Sequence, residues 1–270
     1  MAKETRTGSR IALSPARKTI HEILRHARRA PSLPLSRVMH LPELVAARAA
    51  HPSRPSWVAI FMKAYGLVAE SHPELRRAYI PWPRPHLYEH PHSEGALLVE
   101  REWQGEQVVL AGKVRAPERQ PLQAISSYLR YLNEAEVPRV SAFRQLLRLG
   151  RLPALVRRFA FWRILNLSGY RRAKRLGTFV LSSLGNYGVE QHHPLSPLTT
   201  YLTFGPIGPD GDVTVKIIYD HRVMDGRTVA RCLVDLEAIL RHELVEELTA
   251  HRRQIAWVSG EGVAAPAACG

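Results

Sequence analysis

The sequence predicts an α/β fold, and three observations carry that prediction. Strand-like runs at residues 178–183, 199–204 and 213–219 precede a long helix-period pattern at 227–248. Two further strand runs, 97–102 and 107–114, flank Trp103-Gln104-Gly105 in the manner of a hairpin. Helical segments lie before and between these runs, so both element types must share a core. A chain of 270 residues, 45% hydrophobic and 23% charged, has the balance of an ordinary globular protein. At that length one core can bury roughly three quarters of the surface of the unfolded chain.

Taken in order, residues 1–10 read as a polar, flexible start and 11–250 as one domain. Ser14-Pro15 makes a cap and first turn for a helix to about Arg29, with Ile20, Ile23, Leu24 and Ala27 on one face. Residues 33–41 read as a strand whose proline puts it at an edge, and Pro42 opens a second helix to about Ala50. Residues 56–71 are a mostly apolar and therefore buried helix ended by Pro73. Residues 79–93, with Pro81, Pro83, Pro85 and Pro91, are a loop or a string of short edge segments. Residues 122–133 form another helix. Residues 140–151 are helical by period, with Phe143, Leu146 and Leu147 on one side and Arg144, Arg148 and Arg151 on the other. Pro153 breaks that helix, and a more hydrophobic, arginine-bearing segment runs to Leu167 before Ser168-Gly169. The long helix at 227–248 buries Val229, Leu233, Leu236, Leu240 and Leu244, and 251–270 reads as a flexible tail.

Several function classes are excluded. No apolar run approaches the roughly 18 residues of a membrane span, and MAKETRTGSR is too polar to begin a secretory signal. Two cysteines, Cys232 and Cys269, make neither a disulfide framework nor a four-cysteine metal site, so the expected compartment is the reducing cytoplasm. The formal net charge is +14, and the stretch 139–175 supplies eleven basic residues with no acidic one. No nucleic-acid module accompanies that charge, which therefore implies an anionic partner other than nucleic acid. His86, His90, His92, His192 and His193 have no fitting carboxylate or cysteine set in the sequence and read as solvated or structural, so no metal is expected. No Gly-x-Ser-x-Gly elbow, phosphate loop or dinucleotide fingerprint is present.

The sharpest feature is Tyr219-Asp220-His221-Arg222-Val223-Met224-Asp225-Gly226, where a strand ends and a helix starts. With 13 His and 17 Gly in the chain, a His-x-x-x-Asp-Gly match has an expectation of about 0.015 by chance. A histidine such as His221 can take up or give a proton under physiological conditions, Asp225 can hold the loop, and Gly226 permits a tight backbone at the helix start. Alone, the octapeptide reads first as an Asp cap beside a structural histidine. A strand ending in Ser182-Ser183-Leu184-Gly185-Asn186, about forty residues upstream, changes that reading.

Together the two stretches resemble the catalytic domain of the acyltransferase component of 2-oxoacid dehydrogenase complexes, which shares its fold with chloramphenicol acetyltransferase. Residues 13–25, with Ser-x-x-Arg-Lys-Thr-Ile, look like that family's opening helix, 57–72 like its buried helix and 198–207 like its penultimate strand. The resemblance covers about residues 11–248. It implies a two-layer α/β sandwich with a mixed sheet, and a coenzyme A-dependent acyltransferase that binds no cofactor and uses coenzyme A or acyl-CoA as substrate. It also implies that His221 is the general base, that Ser182 donates to the oxyanion with Ser183 as the competing assignment, and that Asp225 is structural and paired with Arg17. Ser183, Asn186 and Gly226 are expected to line the substrate site. The family's site lies between subunits of a trimer, so a homotrimer or a multiple of trimers is expected.

The sequence departs from the family in three places, one of them the hairpin around Trp103, where Glu100-Arg101-Glu102-Trp103 replaces the family's usual Thr-Pro-x-Gly-like stretch. It begins close to the catalytic core, so no lipoyl arm is expected on this chain, and the basic helical segment 139–175 is longer than the family's connection. Two alternatives follow: a dihydrolipoyl transacylase served by a lipoyl domain on another polypeptide, or a catalytically silent assembly scaffold. The basic segment suggests either the phosphates of coenzyme A or an anionic membrane surface, hence peripheral association at the inner membrane surface.

Overall fold

A computed structural model describes residues 8–258, with side chains as far as residue 250; the reading of 1–10 as a flexible start falls largely outside them. Strands β1 (Ser32–His40), β4 (Glu94–Trp103), β5 (Glu106–Arg115), β6 (Phe179–Leu181), β7 (Thr200–Phe204) and β8 (Asp212–Asp220) form one sheet in the order β1-β8-β7-β6-β4-β5. It is mixed: β4, β6 and β7 run parallel as neighbours, and the other pairings are antiparallel. β1 is an edge strand, which is what lets it hold Pro34 without losing an inner ladder bond. The β4–β5 hairpin turns through Gln104 (φ 55°) and Gly105 (φ 75°), the left-handed pair that matches strand twist in a two-residue turn. The proline-rich stretch after residue 76 folds as a separate two-stranded hairpin, β2 (Arg77–Ile80) and β3 (His86–Glu89).

Alternation along the strands assigns the two faces. Leu97, Val99, Phe179, Leu181, Leu202 and Ile217 point into the main core. Helices α2 (Pro42–Ala50), α3 (Trp57–Ser71), α4 (Leu122–Glu134), α8 (Gly226–Arg241) and α9 (Glu243–Val258) pack on that side. α3, capped by the Ser56 hydroxyl accepting from the Ala59 amide, is nearly all apolar and carries Phe61, stacked at 4.1 Å on Phe204. The opposite face presents Ala96, Val180, Tyr201 and Ile218, and is partly covered by α1 (Pro15–Ala27), α5 (Ser141–Arg151) and α7 (Gly169–Leu176). The basic segment therefore adds a partial third layer to the two-layer sandwich.

Three details differ from the sequence reading. A short helix, α7, follows α6 (Ala154–Asn166) where no element is predicted; the Ser168 hydroxyl caps it by accepting from the Arg171 amide. The helix expected over 227–248 bends at His242 (φ −113°, ψ −72°) into α8 and α9, which keeps Leu244 and Leu248 buried. α9 also runs to Val258, into the stretch read as a tail, and 259–270 lie outside the described residues. Among the described residues no helix is long and apolar enough to cross a membrane.

Gly150 sets how closely α5 approaches α1. A Cβ there would sit 1.9 Å from the Pro15 carbonyl oxygen, a backbone atom that cannot swing aside. Gly150→Ala is therefore expected to destabilise the protein by about 2 kcal/mol despite alanine's better helix propensity, read as a drop of several degrees in Tm. An unchanged or raised Tm would show that the two helices can separate without loss.

Candidate active site

His221 sits in the turn that joins β8 to α8. Its amide donates to the Pro31 carbonyl at 3.0 Å, and the turn closes with the Val223 amide on the Asp220 carbonyl. Asp220 is almost wholly buried and accepts from the Arg222 amide (3.0 Å), Nε (2.9 Å) and Nη2 (2.6 Å). The Arg222 guanidinium in turn lies 4.5 Å from the centre of the Tyr79 ring. Behind it, buried Arg172 donates to the carbonyls of Tyr79 and Pro197. Burial pulls Arg172 down to about 10, while the nearby Asp220 charge acts in the opposite direction. The histidine is thus carried on a turn whose flanking residues are fixed by charge-assisted hydrogen bonds.

The His221 side chain is 45% exposed, and its Nδ1 lies 3.5 Å from Asp225 Oδ1. Asp225 occupies the N-cap position of α8, yet its side chain makes no capping hydrogen bond. The carboxylate is turned toward the histidine, which sets aside the reading of Asp225 as a simple helix cap. Tyr219, 5.8 Å from His221 ring to ring, has its hydroxyl pushed up by burial and then by Asp225, so it remains a neutral phenol. A Cβ at Gly226 would come 3.2 Å from that hydroxyl. The glycine therefore leaves the space in which the phenol sits.

The two serines separate cleanly. Ser183 is committed internally: its hydroxyl donates to the Phe204 carbonyl (2.7 Å) and accepts from the Gly185 amide (3.1 Å). Ser182 follows β6, and its amide donates to Leu202. It lies on the face of Val180 and Tyr201, and the Tyr201 hydroxyl donates to Gln191 Oε1 at 3.5 Å. Burial pushes the Tyr201 hydroxyl up, and the Ser182 hydroxyl nearby offsets part of that. The register puts Ser182 level with Thr203, whose buried hydroxyl has no partner, and with Lys216. Asn186 is exposed in the short turn after Ser183.

Within one chain Ser182 and His221 do not meet. β6 and β8 run in opposite directions relative to their common neighbour β7, so the serine and the histidine lie at opposite ends of the sheet. Five residues of β8 separate the level of Ser182 from His221, about 16 Å at the rise of a strand. The expected pair of Arg17 with Asp225 is also not formed within the chain: Arg17 Nε lies 3.3 Å from Glu106 Oε1 on β5. Three strands stand between β5 and β8, about 19 Å across at ordinary strand spacing.

Among the histidines the structure corrects the sequence reading in one respect. His90, His92 and Glu94 bring ligand atoms within 4.8 Å of one another, so a carboxylate does accompany the two imidazoles. Cations already hold those atoms. Arg115 Nε is 3.2 Å from His92 Nε2, and Lys113 Nζ is 3.5 Å from Glu94 Oε2. Sequence reasoning also missed Asp220, Arg222 and Arg172; the strand-end position of Asp220 beside His221 was the one available signal.

No protein-family model matches the chain, and no curated protein matches it in sequence. Its fold matches solved structures. A probable dihydrolipoamide acetyltransferase from Listeria monocytogenes aligns with a TM-score of 0.62 and 18% identity, over 89% of this chain and 95% of that one. The dihydrolipoamide acetyltransferase of Azotobacter vinelandii gives 0.66 and 16%, over 90% and 94%. A truncated catalytic core of the 2-oxoacid dehydrogenase multienzyme complex from Thermoplasma acidophilum gives 0.61 and 14%, over 87% and 99%. The chain thus has the fold that the sequence resemblance implied.

Proposed function

We propose that the chain is a coenzyme A-dependent acyltransferase whose active site is shared between copies, in a homotrimer or a multiple of trimers. The observation that carries this reading is the placement of Ser182 and His221 at opposite ends of one sheet, each on an accessible rim. A second copy could bring one chain's serine to another's histidine. The solved Azotobacter structure was studied for the roles of a serine, a histidine and an asparagine four residues after that histidine. This chain has Asp225 at the same spacing from His221.

In the proposed reaction Nδ1–H of His221 faces Asp225, leaving Nε2 to take the proton from an acceptor thiol or hydroxyl. The acceptor oxygen or sulfur attacks the thioester carbonyl, and Ser182 donates a hydrogen bond to the oxyanion. Collapse breaks the carbon–sulfur bond, and the imidazolium returns its proton to the coenzyme A thiolate. The test is conversion of acyl-CoA to free coenzyme A, separated by chromatography, from a panel of acyl-CoA donors with thiol and hydroxyl acceptors, dihydrolipoamide among them. We expect acceptor-dependent release with at least one pair. Dihydrolipoamide as the best acceptor would select the transacylase with a separate lipoyl chain, and assembled trimers that turn over no donor would select the silent scaffold.

The basic segment supports a second element of the proposal, association with an anionic membrane surface. Leu155, Val156 and Phe159 of α6 are 77%, 50% and 61% exposed, beside exposed Arg151, Arg158 and Arg163. Not all eleven cations contribute: Arg157 pairs with buried Glu22, and Arg172 is wholly internal. Sedimentation with vesicles should show binding to anionic vesicles and none to neutral ones, weakened by salt and by Arg144/Arg148/Arg151→Glu. No binding to anionic vesicles at low salt would remove this element and leave the acyltransferase reading intact.

A further inference from the structure

A cavity of about 140 Å³ lies between the outer face of the sheet and the helices of the basic segment. Its floor is Ala96, Leu98, Ala111, Val180 and Tyr201, and its roof is Ile23, Leu146, Leu149 and Leu176. Two cations stand in this apolar lining, Lys113 and Arg175. The register puts Lys113 level with Ala96, Val180 and Tyr201, on the edge strand of the sheet, and its ammonium is already engaged by the Glu94 carboxylate (3.5 Å) and the Lys174 carbonyl. Arg175 is exposed on α7 and contacts Gln145 Oε1 at 3.5 Å with one Nη, which leaves other guanidinium donors unengaged by that contact. At the other side Tyr201 shares the sheet face that continues to Ser182, and its hydroxyl donates to Gln191 Oε1 at 3.5 Å.

We infer that this cavity selects the substrate: it holds an apolar chain of about six carbons whose far end carries an anionic group, held by Arg175, with the reacting end directed past Tyr201 to Ser182. The size argument is one of volume alone: a closed apolar cavity of comparable size takes a six-carbon ring, and this one, open on one side, admits a chain of that length. The charge argument rests on chemistry. An aliphatic group alone would leave the remaining donors of Arg175 unused, and a ligand charged along its length would be desolvated against Leu146, Leu149 and Val180 without partners. The inference rests on the proposed function for the direction of the chain, since it places the reacting end at Ser182.

The test separates the two readings by measuring binding without turnover. Hexanoate and its neutral analogue hexanamide are titrated into the wild-type protein by ligand-observed NMR. We expect hexanoate to bind in the millimolar range and hexanamide at least tenfold more weakly. Arg175→Gln should bring hexanoate to the level of hexanamide, and Ala142→Trp, which fills the space under α5, should abolish binding of both. Equal binding of the two ligands by wild type would overturn the anionic end, and undiminished binding by Ala142→Trp at a retained Tm would overturn the cavity as the site. Should Ala142→Trp fail to fold, Ala111→Leu on the strand side serves instead, with the same expected loss. Hexanoate binding in a protein with no thioester turnover would retire the acyltransferase reading and leave the cavity assignment standing. Turnover with no hexanoate binding would do the reverse.

Discussion

His221→Ala lowers turnover by about 10² to 10⁴, the usual contribution of a positioned general base, and leaves the fold intact. The effect should be confined to chemistry because the side chain packs against little: it is nearly half exposed, and the turn is held through backbone contacts and Asp220. Removing an exposed side chain of this kind normally changes stability by no more than about 0.5 kcal/mol. His221→Ala should therefore match wild type in Tm and in assembly while losing acceptor-dependent release of coenzyme A. Asp220→Asn makes the contrasting case, because it weakens a carboxylate that accepts three donors from Arg222 and so disturbs the whole turn. Equal rates for wild type and His221→Ala across the donor and acceptor panel would end the acid–base assignment.

How much of this site was legible depended on whether the signal was local. α2 begins at Pro42 as read, because a proline in the first helical turn is a local signal. The two hairpin strands and β8 follow from side-chain alternation, and His221 follows from its place after a strong strand. The choice between Ser182 and Ser183 was not local. Alternation required that one face away, but only the register of β6 against β7 shows that Ser183 is tied to Phe204 while Ser182 shares a face with Tyr201. The distance between Ser182 and His221 depends on strand order, which no residue near either one encodes. The burial of Arg157 and Arg172 is of the same kind, since their partners Glu22 and Tyr79 lie some hundred residues away in sequence.

Restored activity on mixing two inactive proteins follows from that strand order. Ser182→Ala removes an oxyanion donor and should itself cost about 10² to 10³ in turnover. If the site joins the histidine of one copy to the serine of the next, a site in a hybrid is intact only when its histidine comes from the Ser182→Ala chain and its serine from the His221→Ala chain. Random exchange at equal amounts makes that so for about a quarter of sites, and about a quarter of wild-type activity should return, because a head-to-tail ring repeats one such interface. Mixing wild type with the double variant gives a second, independent number. A shared site again leaves about a quarter of sites intact, since both groups must come from wild-type chains, whereas a site within one chain would leave about half. Exchange would be confirmed by mass differences between tagged copies before rates are compared. Activity near a half in the second mixture, with none in the first, would place serine and histidine in one chain and require a rearrangement of the sheet that brings its two ends together.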